Sequence, residues 1–213
     1  MELKTASLLL SVAGITLLYF LSTLSQPIAV ELHEIPDFED KQVTVEGTVK
    51  EHYTTSYGSQ MITILGDNIT IMIFSEEQTD IEYGDKIQAT GKVQRYNDGW
   101  EIVVGDKRLI NIVQKWQNIS MPLWQIAENP TKYEGLNVNV TGFVDAIYDD
   151  YFYLVDAEAS YSIIAFYGSS DDITLYSGEK VNVAAQFNYD AEHARYRLEL
   201  LDEMHGISLS LEG

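Results

Sequence analysis

The stretch Phe38-Glu-Asp-Lys-Gln-Val-Thr-Val-Glu-Gly-Thr-Val49 recurs 95 positions later as Tyr133-Glu-Gly-Leu-Asn-Val-Asn-Val-Thr-Gly-Phe-Val144. In both copies an aromatic residue precedes a strand whose valines alternate, with one glycine on the valine face. A second pair of segments matches as well, since Tyr83-Gly-Asp-Lys-Ile-Gln-Ala-Thr-Gly-Lys-Val93 aligns with Ser177-Gly-Glu-Lys-Val-Asn-Val-Ala-Ala-Gln-Phe187. The sequence therefore predicts two copies of one small all-β domain, which are too few for a solenoid.

Alternation of apolar residues predicts five short strands in each copy. Residues 75–81 of the first copy are polar and long enough for one helical turn, and residues 123–127 predict a helical turn before the second copy. Gly47 and Gly142 mark the point where a long first strand bends to serve both sides of a small Greek-key barrel. We expect an N-terminal segment (residues 1–30) and two barrel domains (residues 31–115 and 116–213).

The charge of the chain is strongly negative and unevenly distributed. The formal net charge is −20, and there are no cysteines, so disulfides and thiolate metal sites are excluded. Residues 36–118 carry 14 acidic against 8 basic side chains, whereas residues 119–213 carry 16 against 4. A protein that follows a nucleic-acid backbone needs a basic surface. The second copy is therefore the less suited of the two to bind phosphates.

The N-terminal region contains 19 consecutive uncharged residues, 6–24, about the length that crosses a bilayer as a helix. Lys4 precedes this run, and Glu31 and Glu34 follow it, so the positive-inside rule places the N terminus in the cytoplasm. We expect a single-pass cell-membrane protein that contacts the membrane through residues 6–24 and holds both barrels outside. A cleaved signal peptide is the alternative, although the residues around Gln26 form a poor cleavage site.

Three Asn-x-Ser/Thr triplets, at Asn68, Asn118 and Asn139, are weak candidates for glycosylation of an extracytoplasmic protein. Asn139 falls on the outward phase of its predicted strand.

The pattern resembles the OB-fold, in the branch used by anticodon-binding and helicase-type nucleic-acid-binding domains. The resemblance rests on Val43-Thr-Val-Glu-Gly-Thr-Val49, on Tyr83–Val93 and on Asp98-Gly-Trp-Glu-Ile-Val-Val104, and it extends over nearly all of residues 36–205. It implies two tandem five-stranded OB-type Greek-key barrels behind a single transmembrane helix. It also implies single-stranded nucleic acid lying across strands two and three, held by the loops that join strands 1–2 and 4–5.

Carried onto this sequence, the resemblance implies candidate ligand-binding residues in the first barrel that are aromatic, apolar or basic. They are Lys50, Tyr53, Tyr57, Met72, Phe74, Lys92, Arg95 and Tyr96. For Met72 and Phe74, the alternative is burial under a capping helix or against the other domain.

The corresponding loop and strands of the second barrel keep aromatic residues, but acids replace the cations. The candidate ligand-binding residues there are Tyr148, Tyr151, Tyr153 and Tyr167. Exposed tyrosines between acids are typical of a surface for a protein or a glycan rather than a phosphate groove.

No motif for catalysis, a metal or a cofactor is recognisable in the sequence. The histidines are scattered, and the acidic runs do not match the spacing of a calcium loop. A haem-chaperone-like OB protein is a lesser alternative, because such proteins also begin with one transmembrane helix, but their haem-attaching motif is absent. We therefore expect a non-catalytic, membrane-anchored module that binds an unknown envelope protein or glycan, with single-stranded nucleic acid on the first barrel as the alternative.

Overall fold

The computed structural model describes residue 7 and residues 10–19, 26–168 and 174–210. Residues 10–19 lie in a helix, α1. Across the described ranges, no helix combines the length and the apolar character that crossing a membrane requires. The rest of the predicted membrane span, residues 6, 8, 9 and 20–24, lies outside the described residues.

The first copy forms a closed five-stranded barrel with two short additional strands. Its strands are β1 (Ile28–Ala29), β2 (Gln42–Thr54), β3 (Gln60–Gly66), β4 (Ile69–Ser75), β5 (Lys86–Tyr96), β6 (Gly99–Val104) and β7 (Ile110–Gln114). The order around the barrel is β2-β3-β4-β6-β5, and β5 closes it by pairing with β2. β1 lies parallel to β2, and β7 lies antiparallel to β5.

The second copy repeats this arrangement. Its strands are β8 (Ser120–Pro122), β9 (Asn137–Ile147), β10 (Tyr151–Val155), β11 (Ser162–Phe166), β12 (Lys180–Asp190), β13 (Arg195–Glu199) and β14 (Gly206–Leu209). The order is β9-β10-β11-β13-β12, closed by β12 on β9. Both copies thus have the five-stranded Greek-key barrel of the OB-fold, which confirms the predicted barrels.

Alternation along the first strand of each barrel decides which side faces the core. In β2, Val43, Val45, Gly47 and Val49 are buried, while Thr44, Glu46 and Thr48 between them are not. A bulge after Val49 then bends the strand away from β5 and onto β3. One long strand therefore pairs with β5 over its first half and with β3 over its second half.

Each barrel is closed at one end by a short helical segment that contributes two apolar side chains. Leu32 and Ile35, in a 3-10 helix (Leu32–Phe38), are buried in the first core. Leu123 and Ile126, in helix α2 (Leu123–Glu128), are buried in the second core. A further helix, α3 (Pro130–Tyr133), and two 3-10 helices (Lys107–Leu109 and Trp116–Asn118) lie in the connections.

The predicted helical turn at residues 123–127 is thus confirmed, whereas the one at residues 75–81 is wrong. The described backbone there is irregular, because side chains provide its hydrogen bonds instead. The Gln60 amide bonds both the backbone and the hydroxyl of Thr79, and the Ser75 hydroxyl donates to the Glu77 carbonyl.

Candidate ligand-binding faces

The outer surface of the first barrel carries a row of side chains that crosses four strands. Strand pairing places Tyr53 beside Met61, Met61 beside Phe74, Phe74 beside Val103, and Val103 beside Lys92. The residues on either side of this row in β4 and β6, such as Ile73 and Ile102, point into the core and are fully buried. We call the row Tyr53, Met61, Phe74, Val103 and Lys92 the first face.

A second row lies directly beside the first face and is more polar. It joins Thr63, Met72, Glu101 and Gln94 through the same strand pairs. Glu101 is buried among these neighbours, and the Gln94 side-chain amide donates a 2.6 Å hydrogen bond to its carboxylate. Met72 therefore lies between the apolar row and a fixed negative charge.

The cations near the first face are held in different ways. The Lys92 ammonium lies 2.8 Å from an Asp40 carboxylate oxygen, which neutralises much of its charge. Arg95 stacks over the Trp100 ring, with 4.9 Å between the guanidinium carbon and the ring centroid. No carboxylate among the described residues forms an ion pair with Arg95.

The structure brings six of the eight candidate residues of the first barrel to this face or to the loop beside it. Tyr53, Met72, Phe74 and Lys92 lie on the two rows, and Arg95 and Tyr96 end β5 beside them. Two are placed elsewhere. Tyr57 is almost wholly exposed in the loop between β2 and β3. Lys50 lines a cavity of about 510 Å³ between the barrels, together with Glu134 and Gln186 of the second copy.

All four candidate tyrosines of the second barrel form one cluster. The rings of Tyr148 and Tyr151 are stacked, with centroids 4.6 Å apart and planes 18° apart. Tyr153 packs edge-on against both rings. The Tyr167 hydroxyl donates a 2.7 Å hydrogen bond to the Tyr148 carbonyl. Burial raises the pKa of Tyr167, and the Asp149 and Asp150 carboxylates raise it further, so two negative charges lie near this cluster.

The cluster borders Phe166, which pairs with Tyr151 across the outer surface of β10 and β11. Arg197 lies over the Phe166 ring at 5.8 Å and is itself bound by two carboxylates, Asp190 at 3.0 Å and Glu199. We call Tyr148, Tyr151, Tyr153 and Phe166 the second face.

The repeat allows the two faces to be compared position by position. Tyr148 and Phe166 occupy the places of Tyr53 and Phe74, so the aromatic framework is kept. The charges around the framework differ between the two barrels. In the second barrel, Asp145 replaces Lys50, Gln186 replaces Lys92, Glu199 replaces Val103, and Arg197 replaces Glu101. The second face therefore resembles the first in shape but not in charge.

Sequence reasoning missed several members of both faces, including Met61, Val103, Glu101, Phe166 and Arg197. Alternation gives the outward phase of the others, but it predicts Phe166 on the core side with Ile164, which is wrong, because Ile163 and Ala165 fill the core instead. The adjacency of these residues cannot be read from alternation, since β4 and β6 are neighbours in the barrel but are separated by a whole strand in the chain. To place these residues side by side, the order of the strands in the barrel must be known, and alternation along a single strand does not give that order.

The glycosylation triplets occupy different surroundings. Asn68 and Asn118 are exposed, in a turn and at the end of a 3-10 helix, respectively. Asn139 is half-buried, and its amide nitrogen donates to the Gln117 carbonyl at 2.9 Å. All three remain predictions. Over the described part of the chain, no group of three histidine or acidic side chains is arranged to hold a metal ion.

No protein-family model and no curated protein sequence matches this chain. Among solved structures, asparaginyl-tRNA synthetase from Pyrococcus horikoshii is 15% identical over 48% of this chain and 26% of its own, with a TM-score of 0.37. Aspartyl-tRNA synthetase from Entamoeba histolytica is 15% identical over 51% of this chain and 29% of its own, with a TM-score of 0.35. The asparaginyl-tRNA synthetase of the same organism, in complex with asparaginyl-adenylate, is 11% identical over 50% and 30%, also at 0.35.

The chain thus spans less than a third of these synthetases, each of which matches about half of it. TM-scores this low do not support an assignment, so the assignment of the barrels rests on the strand order described above.

Proposed function

We propose that this protein is a non-catalytic binding protein whose first barrel holds a single-stranded nucleic acid across the first face. The observation that carries the proposal is the row Tyr53, Met61, Phe74, Val103 and Lys92. Tyr53 is exposed and Phe74 and Val103 are half-buried, while Met61 between the two rings is buried, and the row ends at Lys92. Bases stack on aromatic rings irrespective of sequence, and each stack contributes about 1–3 kcal/mol.

The charges around the first face set the expected character of the binding. Asp40 neutralises Lys92, and Glu101 is fixed beside Met72, so few phosphate contacts are available. If the cations of the first face neutralise about two phosphates, the affinity for a single strand should fall only about sevenfold between 50 and 200 mM salt. We therefore expect weak binding that depends on stacking more than on charge.

The test is fluorescence anisotropy of the full-length protein with labelled oligo-dT and oligo-rU, at low salt and near 150 mM. Tyr53→Ala removes an exposed ring and should weaken binding about 5- to 150-fold, the equivalent of one lost stack. Tyr148→Ala, the equivalent substitution in the second barrel, is the matched control and should leave oligonucleotide binding unchanged. Absence of binding at low salt, or equal losses for the two variants, would refute the proposal.

The membrane anchor and the extracytoplasmic address remain predictions from the sequence, as does an envelope partner. They are independent of the first face, since its chemistry is the same in either compartment. Protease digestion of intact cells that express the full-length protein would test the address, because barrels held outside are cleaved without lysis.

A further inference from the structure

The hairpin between β9 and β10 carries an exposed aromatic surface together with negative charges that no cation among the described residues pairs with. Tyr148 is 49% exposed and Ile147 is 40% exposed. Asp145, Asp149 and Asp150 lie on the same hairpin, and none of them forms an ion pair with a described residue. Exposed aromatic side chains are enriched at protein interfaces, and the acids beside them give this surface a charge that complements a cationic partner.

This hairpin is held in place before any ligand binds. The backbone N–H groups of Tyr167 and Gly168 both donate to the Asp150 carbonyl, at 3.0 and 3.1 Å. The Tyr167 hydroxyl bonds the Tyr148 carbonyl, and the Tyr148 N–H donates to the Tyr151 carbonyl at 2.8 Å. A surface that is already ordered loses little conformational entropy on binding.

We infer that the second face and its acidic hairpin form a docking surface for an arginine-rich protein segment. A guanidinium group can stack on the exposed Tyr148 ring while its N–H groups pair with the carboxylate of Asp149 or Asp150. The chain itself contains this combination, because Arg197 lies over Phe166 and is bound by Asp190 and Glu199. The acids that attract a cationic segment also repel phosphates, so this surface complements the first face rather than duplicating it.

Arginine is favoured over lysine by the geometry of the surface. Flat rings and paired carboxylate oxygens match a planar, delocalised cation with several donors, whereas an ammonium group is a compact and strongly hydrated charge. We therefore expect an arginine peptide to bind more tightly than its lysine counterpart.

The test uses the full-length protein and a fluorescent peptide in which four arginines alternate with glycine, at 150 mM salt. A peptide with citrulline in place of arginine keeps the size and planarity of the side chain but removes its charge and replaces one NH2 donor by a carbonyl oxygen, and it should not bind. Tyr148→Ala and the double variant Asp149→Asn/Asp150→Asn should each weaken binding of the arginine peptide at least fivefold. All three side chains lie outside the core, so their substitution should leave the fold intact, and thermal melts would verify this.

The strong net charge of the protein demands a matched control, because any acidic protein attracts an arginine peptide to some degree. The double variant Glu158→Gln/Glu192→Gln removes the same charge from exposed positions of the same barrel and should change binding less than twofold. Tyr53→Ala in the first barrel should also have no effect.

The inference is overturned by equal losses in the hairpin and control pairs, by equal binding of the citrulline peptide, or by no binding at all. It is also overturned if Tyr148→Ala reduces oligonucleotide binding, which would assign the face to nucleic acid, or if it abolishes self-association in sedimentation experiments. These outcomes are separable from the proposed function, which depends on Tyr53 and on oligonucleotides alone.

Discussion

Two glycines at the same point of the repeat show how closely the first strand of each barrel approaches its neighbour. A Cβ atom on Gly142 would lie 2.7 Å from Leu154 Cγ and 2.8 Å from the Val155 carbonyl oxygen. A Cβ atom on Gly47 would lie 3.0 Å from Ile64 Cβ. The absence of a side chain lets the strand curve tightly over the core at both places.

Gly142→Ala should therefore destabilise the protein by about 1–3 kcal/mol, the range for overpacking a core. Gly47→Ala should have a smaller effect, since its contacts are longer. Gly105→Ala is the control, because a Cβ atom there meets nothing within 4 Å. Urea unfolding followed by circular dichroism would measure the three differences, and a Gly142→Ala protein as stable as the Gly105→Ala protein would contradict the packing argument.

At the scale of elements, the sequence predicts strands well and the segments between them poorly. Valine alternation gives the phase of β2 and β9 because each strand has one side in the core. The 3-10 helix that closes the first barrel was not predicted, although Leu32 and Ile35 have the same three-residue spacing as Leu123 and Ile126. Pro36 lies within that segment and obscures its helical character.

The positions of the candidate site residues were also predicted only in part. Tyr148, Tyr151 and Tyr153 come together because their outward phase and the hairpin both follow from local sequence, whereas Tyr167 packs against Phe152 on the core side and reaches the cluster through its hydroxyl. Lys50 was expected beside Tyr53, but the bulge after Val49 changes the phase of the strand between them. A bulge depends on pairing with another strand, and alternation along a single strand does not reveal it.

The hairpin between β12 and β13 depends on one buried carboxylate. Asp190 accepts hydrogen bonds from Arg197 Nη1 at 3.0 Å and from the backbone N–H groups of Glu192 and His193 at 3.1 and 3.3 Å, and it also contacts His193 Nδ1 at 2.8 Å. Burial alone would raise the pKa of Asp190, but the hydrogen bonds from His193 and the charge of Arg197 outweigh it and lower the pKa.

Asp190→Ala should destabilise the second barrel, because it removes the hydrogen bonds of the turn and leaves the partly buried Arg197 with Glu199 alone among the described carboxylates. The neighbouring Glu192→Ala, at an exposed position, should cost little. Since the folded pKa of Asp190 is lowered, its contribution is present above the ordinary value of 3.8 and is lost as the pH falls below it. Urea titrations at pH 7 and pH 3 should therefore show a smaller difference between Asp190→Ala and wild type at pH 3, and an equal difference would argue against this role.

At the scale of the whole molecule, the barrels contact each other around Trp116. Its indole N–H donates to Glu82 at 2.9 Å, and its backbone N–H donates to Asp85 at 3.2 Å. The His205 ring packs edge-on against the indole, with 5.8 Å between the ring centroids and 69° between the planes. Since Glu82 and Asp85 belong to the first barrel and His205 to the second, Trp116 joins the two.

His205 makes this junction sensitive to pH. Burial lowers its pKa, despite the opposing charges of Asp202 and Glu82, and the Leu201 N–H donates to Nδ1 at 2.8 Å, which requires that nitrogen to be unprotonated. A lowered pKa means that the unfolded chain binds the proton more tightly. Stability should therefore be full above the ordinary value of 6.5 and fall as the pH drops from there toward the folded pKa.

Thermal melts of the wild type and of His205→Asn between pH 7.5 and pH 5 would measure this effect. The variant should lose less stability than the wild type over that range, and His33→Asn at an exposed position should behave like the wild type. Part of the slope should persist in His205→Asn, because burial also lowers the pKa of His52. Equal slopes for His205→Asn and wild type would refute a role for His205.

Substitutions at Gly84 and Gly178 distinguish the contribution of the inter-barrel contact to stability from the contribution of each barrel alone. Their backbones are equivalent, with φ values of +92° and +86°, and their N–H groups donate to Val49 and Val144, respectively, at 2.8 and 2.7 Å. A Cβ atom on Gly84 would lie 2.4 Å from the Asn137 carbonyl oxygen in the second barrel, whereas one on Gly178 would meet nothing within 4 Å.

Alanine at either glycine costs about 1 kcal/mol of backbone strain, because both positions require a left-handed conformation. Only Gly84→Ala should also push the barrels apart. If the barrels of the wild type unfold together in one calorimetric transition, Gly84→Ala should show two, because each barrel then unfolds independently. Gly178→Ala should lower the midpoint and keep a single transition. A Cβ atom on Gly84 would also lie 3.1 Å from Trp116 Cβ, so equal profiles for the two variants would mean that neither contact couples the unfolding of the barrels.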